Sequence, residues 1–158
     1  MANGNIFATS LHQTADLFAP YLAGELGAPA LVVGSRWPKD EMRHALESSF
    51  AALGHADGLT LYACTNANEG DDGQDAATLD ANSLYALIEG ADPLFIVATD
   101  ADAGRLLCQA YRQQEILNAS ARLNGRTVVV FSDFGTMLDD ADEKQRAWKL
   151  LKHLPRVE

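Results

Sequence analysis

The sequence predicts an α/β fold, a three-layer αβα arrangement around a four-stranded parallel sheet. Two observations carry this expectation. Four short apolar runs, rich in β-branched residues and without polar alternation, read as strands covered on both faces. Stretches with helical apolar spacing separate them, which is the pattern of right-handed parallel crossovers.

Bulk properties agree with one such unit. A chain of 158 residues fits a single domain that buries roughly 70% of its unfolded surface. No repeat or linker divides it, so one domain is expected over residues 1–158, with an N-terminal helix at 10–26 and a core at 30–155. No apolar run approaches the ~20 residues that span a bilayer, and the N-terminus lacks the basic start and apolar stretch of a signal peptide. No membrane partner is expected. Cys64 and Cys108 are too few for a disulfide framework or for a four-cysteine metal or iron–sulfur site within one chain. A reducing cytoplasm is therefore the expected setting, with no metal and no cofactor implied.

The net charge of −10 is unevenly spread. No Lys or Arg lies between Arg43 and Arg105, a stretch that also holds Glu69, Asp71, Asp72, Asp75 and Asp80. Nucleic-acid affinity comes largely from cations that neutralise phosphates, so tight duplex DNA binding is disfavoured. An acidic, solvated surface explains the composition without a partner.

The elements follow in order. Ser10 is a candidate N-cap for a helix carrying Leu11, Ala15, Phe18 and Leu22, kinked or broken near Pro20 and ended by Gly27. Ala30-Leu31-Val32-Val33-Gly34 is the first buried strand. Met42, Leu46, Phe50 and Leu53 mark an amphipathic helix that stops at Gly54, with Pro38 expected in its first turn. Leu59-Thr60-Leu61-Tyr62-Ala63-Cys64 is the second strand, followed by a Gly- and Asp-rich loop over 66–78. Leu79, Leu84, Leu87 and Ile88 form a helix closed by Gly90, and Pro93 leads into the strand Leu94-Phe95-Ile96-Val97-Ala98. Residues 103–117 read as helix and Arg126-Thr127-Val128-Val129-Val130-Phe131 as the fourth strand. The last helix opens on Asp140 with Glu143 three residues on, and carries Ala147, Trp148, Leu151 and Leu154 on its apolar face.

Open α/β sheets bind ligands beyond the carboxyl ends of their strands, which singles out four segments. After the first strand, Gly34, Ser35, Arg36, Trp37, Pro38 and Lys39 combine a turn, two cations and an aromatic face beside a helix start. That combination suits an anion or a stacked base, and equally a capped turn whose Trp covers the core edge. It is neither a Walker loop nor a dinucleotide fingerprint, because the later glycines are missing. Asn66 after the second strand offers an amide that can pair with a pyrimidine edge, although Asn is also an ordinary turn residue. Asp100 and Asp102 resemble the Asp-x-Asp pair of toprim Mg²⁺ enzymes, but no matching glutamate motif follows the first strand and helix capping explains them better. Ser132-Asp133-Phe134-Gly135 places a carboxylate beside a hydroxyl and an aromatic, as a turn also would. His12, His44, His55 and His153 show no metal-pair spacing.

Taken in order, Leu84-Tyr85-Ala86-Leu87-Ile88, Asp92-Pro93-Leu94-Phe95-Ile96-Val97-Ala98 and Ala103-Gly104-Arg105-Leu106-Leu107 resemble the helix, Pro-led strand and helix of the uracil-DNA glycosylase superfamily, especially its bacterial iron–sulfur branches. Thr65-Asn66 stands where that family has a Thr-Asn strand end whose Asn reads the uracil edge, and Met137-Leu138, Lys144, Trp148 and Leu151 resemble its last segment. The resemblance covers most of residues 31–154 and implies a four-stranded parallel sheet between helices. It also implies that Asn66 reads a base, with Trp37 stacking on it and Asp40 or Asp133 polarising water if the chain is an N-glycosylase.

The departures fall on the chemistry. The family's acidic residue in the motif after the first strand is replaced by Gly34-Ser35-Arg36-Trp37-Pro38, with Asp40 and Glu41 only later. Its His-Pro-Ser motif is replaced by Ser132-Asp133-Phe134, and the cluster cysteines are absent. The expectation is a glycosylase-like domain without standard base excision, whose partner is a nucleobase or nucleotide. The alternatives are a non-enzymatic nucleotide- or anion-binding regulatory module at residues 34–39 and, more weakly, a toprim-like Mg²⁺ phosphotransferase. No pattern specifies an oligomeric state.

Overall fold

The computed structural model describes the backbone of residues 6–66 and 78–156, and within those spans the side chains from Leu11 onward. Six strands, β1 (Leu22–Gly24), β2 (Ala30–Gly34), β3 (Thr60–Cys64), β4 (Phe95–Ala98), β5 (Ala119–Leu123) and β6 (Arg126–Val130), form one sheet in the order β1-β3-β2-β4-β6-β5. The inner four are mutually parallel and are the four apolar runs of the sequence. Every residue of β2, β3 and β4 is buried, which is why those runs lack polar alternation.

The helices are α1 (Ile6–Leu17), α2 (Asp40–Ala52), α3 (Ala81–Ala91), α4 (Ala101–Ala110), α5 (Phe134–Met137) and α6 (Ala141–Leu151). Strand side chains alternate between two apolar layers. Leu31, Val33, Ile96 and Val128 pack with Leu84, Leu87 and Ile88 of α3 and Leu107 of α4, and Phe18 joins them from the end of α1. Val32, Tyr62, Phe95, Val97 and Val129 face the other way, against Leu46 and Phe50 of α2 and Ala147 and Leu151 of α6. Helices thus cover both faces. From β2 the chain winds outward to β3 through α2, then crosses back to β4 and on to β6 through α3 and α4 on the opposite face. Reversing direction and face together preserves the crossover hand and leaves a switch point between β2 and β4.

Two antiparallel edge strands correct the expectation of a purely parallel four-stranded sheet. The N-terminal helix does not run to residue 26. It is already helical at Ile6, which puts Ser10 inside it rather than at its cap. Pro20, in the short turn Ala19–Tyr21, keeps α1 from continuing, because it has no N–H for an intrahelical bond and its ring clashes with the preceding turn. The freed chain extends as β1 along β3, and Glu25 N–H continues the pairing to Thr60 O at 3.0 Å.

At the other edge, the helix expected over 103–117 stops at Ala110, and β5 follows. Asn124 and Gly125, both at positive φ, join β5 to β6 as a two-residue hairpin of the Asn-Gly type. Smaller boundaries also move. Lys39 is the N-cap of α2, so Pro38 precedes the helix rather than lying in its first turn. Asp140 caps α6 by accepting from Asp142 N–H rather than through Glu143. Of the loop expected over 66–78, residues 67–77 lie outside the described residues, and Asn66 and Thr78 bridge at its base.

Gly90 lies within α3 instead of closing it; Asp92, at φ 49°, is the left-handed C-cap. A Cβ on Gly90 would land on Thr14 Oγ1 of α1, with Thr14 Cβ and Cγ2 both 3.0 Å away. The glycine therefore sets how closely the two helices approach. Beneath them, Arg126 donates from Nη1 to Glu89 Oε2 (2.7 Å), from Nη2 to Asp92 Oδ1 (2.6 Å) and from Nε to Pro93 O (2.9 Å). Tyr111 O–H donates to the same Glu89 oxygen at 2.6 Å. Desolvation pushes the Glu89 carboxyl up, but hydrogen bonds from Tyr111 and Arg126 and the nearby guanidinium charge outweigh it and hold it below its ordinary value.

Two stability predictions follow from these contacts. Gly90→Ala gains about 1 kcal/mol of helix propensity but overpacks a β-branched neighbour at a cost of about 1–3 kcal/mol. A melting temperature lower by a few degrees is expected in a thermal unfolding scan. A depressed folded-state pKa stabilises above the unfolded value, about 4.3, and that stability is lost as pH falls through the folded one. Glu89→Gln should therefore cost about 1–3 kcal/mol at pH 7 and show a smaller loss than the parent between pH 5 and about pH 3, measured by urea unfolding.

Candidate functional site

Strands buried on both faces leave polar chemistry to their ends, and the four parallel carboxyl ends are stitched into one rim. Thr65 N–H donates to Gly34 O (2.8 Å), Thr99 N–H to Val33 O (3.0 Å) and Phe131 N–H to Ala98 O (2.9 Å). Beyond β4 and β6 the backbone continues to pair, with Ala101 N–H on Ser132 O (3.0 Å), Phe134 N–H on Thr99 O (2.9 Å) and a bridge between Asp100 and Asp133. Asn118, just before β5, closes the outer side by accepting from Ser132 N–H (3.0 Å) and donating to Ser132 Oγ (3.2 Å).

Asp100 stands at the switch point. Its Oδ2 accepts Ser35 N–H at 2.9 Å, and its Oδ1 accepts Ala103 N–H at 2.8 Å, capping α4. One carboxylate thus joins the end of β2 to the start of the helix after β4. Asp102 sits on the first turn of α4, largely exposed and paired with Arg105 at 3.0 Å. Asp100 is thus engaged in capping and Asp102 in an ion pair, and no cluster of three metal-ligating side chains occurs among the described residues.

Two clefts open on this rim. The first, about 620 Å³, is lined by Ser35, Arg36, Thr65, Asn66, Ser132 and Asp133, with Asp100 and Asp102 on one wall and Leu79 and Leu106 as apolar surface. The second, about 480 Å³, shares Arg36, Asp100 and Asp133 and adds Trp37, Lys39, Met42 and Asp139. Of the residues singled out from the sequence, Ser35, Arg36, Asn66 and Asp133 come together in the first cleft. Trp37 lines the second cleft and not the first, half-covered by the apolar layer beneath it. Gly34 is buried at the end of β2, where a Cβ would stand 2.8 Å from Thr99 Oγ1, so it serves close backbone approach. Asp40 is the exposed first residue of α2 and lines neither cleft.

Asn66 is the least satisfied group in this region. Its Oδ1 is withdrawn from solvent and is the one buried side-chain oxygen or nitrogen among the described residues without a hydrogen-bond partner. Its backbone carbonyl accepts the Cys64 thiol at 3.1 Å, while the side-chain oxygen is left unpaired. An unsatisfied buried acceptor costs about 1–3 kcal/mol, a penalty removed by a donor brought in from outside or by rotation of the amide. Asp133 is half committed, with Oδ1 capping α5 through Thr136 N–H at 3.2 Å. Sequence reasoning missed Asn118, which lies between the helix read over 103–117 and the fourth strand, and undervalued Asp100, whose partner is 65 residues away. The Asn124-Gly125 hairpin signal would have placed Asn118 at the rim.

Compared with protein-family models and with curated proteins, the chain matches none. The site is therefore read from its own geometry.

Removing the Asp100 carboxylate strands two backbone donors at the switch point. Asp100→Ala should lower stability by about 2–4 kcal/mol, from a lost cap and unsatisfied N–H groups. Asp100→Asn, which keeps a capping oxygen, should lose about half as much in urea unfolding.

Proposed function

We propose that the chain is a uracil-DNA-glycosylase-like domain that holds a nucleobase in the first cleft through Asn66 and does not carry out standard base excision. The observation that carries this reading is the unpartnered Oδ1 of Asn66, a residue at the end of β3 that lines the first cleft together with Ser35 and Asp133. An amide presents a donor and an acceptor side by side, the complement of a pyrimidine edge. Leu79 and Leu106 supply the apolar surface against which a flat ring packs. The parallel order β3-β2-β4-β6 between two helical layers supports the same scaffold.

The groups that would break a glycosidic bond are not assembled. None of the four histidines lines the first cleft, and Asp40 is remote from it. Trp37 faces the neighbouring cleft, so a base read by Asn66 would pack on Leu79 and Leu106 instead. Among the described residues, Asp133 keeps one oxygen for water, the other being bonded to Thr136 N–H, while Asp100 and Asp102 also line the cleft. The Mg²⁺ phosphotransferase alternative loses support because both Asp100 oxygens are taken by backbone N–H groups.

The test pairs binding with turnover. Isothermal titration with uracil, cytosine, hypoxanthine and their nucleosides should show saturable binding of at least one, weakened about tenfold in Asn66→Ala, equivalent to about 1.4 kcal/mol. Uracil-containing single- and double-stranded oligonucleotides should remain uncleaved. Equal affinity in Asn66→Ala, or no binding of any base, would reject the base-reading role. Excision lost in Asp133→Asn would instead establish an active glycosylase.

A further inference from the structure

Resting on that reading, we propose that the first cleft takes an unphosphorylated ligand, a nucleobase or nucleoside, and excludes nucleotides and polynucleotides. In α/β folds of this kind an anion is held at the switch point by backbone N–H groups and by helix N-termini. Here those donors are already occupied by the protein's own carboxylates. Ser35 N–H at the end of β2 and Ala103 N–H at the start of α4 both bind Asp100, at 2.9 and 2.8 Å. Asp80 takes Ser83 N–H at the start of α3 at 2.7 Å. The start of α2, which has no side-chain cap, carries Asp40 and Glu41 in its first turn. The positive ends of the three long helices that follow β2, β3 and β4 are each offset by negative charge.

The side chains do not reverse this balance. Among the described residues, Arg36 is the only cation lining the first cleft, against Asp100, Asp102 and Asp133. The second cleft adds Lys39, but also Glu41 and Asp139. A phosphate placed beside the base would find Ser35 and Ala103 N–H already bonded and the uncapped start of α2 carrying Asp40 and Glu41. It would also meet the carboxylates of Asp100, Asp102 and Asp133, whose repulsion is strongest at low salt. A polynucleotide would meet the same charges along a longer path. Asn66 needs only a neutral hydrogen-bonding edge; the residue lines the same cleft, and rotation of its amide would bring the unpartnered, solvent-withdrawn oxygen to a ligand there.

The experiment measures uridine, cytidine, adenosine and guanosine, their 5′-monophosphates and inorganic phosphate against the full chain, by titration calorimetry and thermal shift at low salt. The nucleoside that binds should do so at least tenfold more tightly than its monophosphate, and inorganic phosphate should not raise the melting temperature. Asp102→Lys reverses one charge at an exposed position, so folding is not at risk. It should raise the ratio of monophosphate to nucleoside affinity severalfold. A monophosphate that binds the parent as tightly as its nucleoside, or phosphate that stabilises it, overturns the inference and leaves base reading standing. An unchanged ratio in Asp102→Lys also overturns it, since charge would then not set the selection. If neither nucleosides nor bases bind, this inference falls together with the base-reading role.

Discussion

Where the winding reverses between β2 and β4, the carboxylate of Asp100 accepts one N–H from the end of β2 and one from the first turn of α4. Both oxygens are consumed in holding together segments far apart in the chain. The rest of the rim is built around that contact, from the pairing of Thr99 with Phe134 to the bridge between Asp100 and Asp133. A carboxylate fixed there by backbone donors is an internal anion, and it sets the electrostatic character of the clefts on either side of it.

The constraint arises from the sheet itself. Strands sealed by helices on both faces have no polar surface along their length, so hydrogen-bonding side chains collect at the strand ends. Three of the helices that follow parallel strands start with an aspartate cap, at Asp80, Asp100 and Asp133. Each cap is a local stability device, yet together they make acidic an edge where folds of this class commonly hold phosphate. Capping and the acidity of this edge are two effects of the same side chains.

Much of the scaffold was legible in the sequence, and little of the site. The runs at Leu31, Leu61, Ile96 and Val128 identify themselves because burial on both faces demands unbroken apolar character. The short edges do not. β1 has three residues, and it becomes a strand only because Pro20 ends α1 beside β3. β5 has mixed, half-exposed residues that no apolar run marks, and only the Asn124-Gly125 hairpin signal points to it. Ser35, Arg36, Asn66 and Asp133 share the first cleft, whereas Asp40 and Trp37 are near them in sequence but do not line it.

The sequence by itself determined the parallel core, the burial of its strands on both faces and a capping role for the Asp100/Asp102 pair, since these depend on local spacing and hydrophobicity. Only the tertiary structure decided that Asp100 also binds Ser35, that Trp37 and Asn66 line different clefts, and that the Asn66 oxygen has no partner. Those facts depend on which backbone groups meet across the sheet. No local pattern encodes a hydrogen bond between residues 35 and 100, or the absence of one at residue 66.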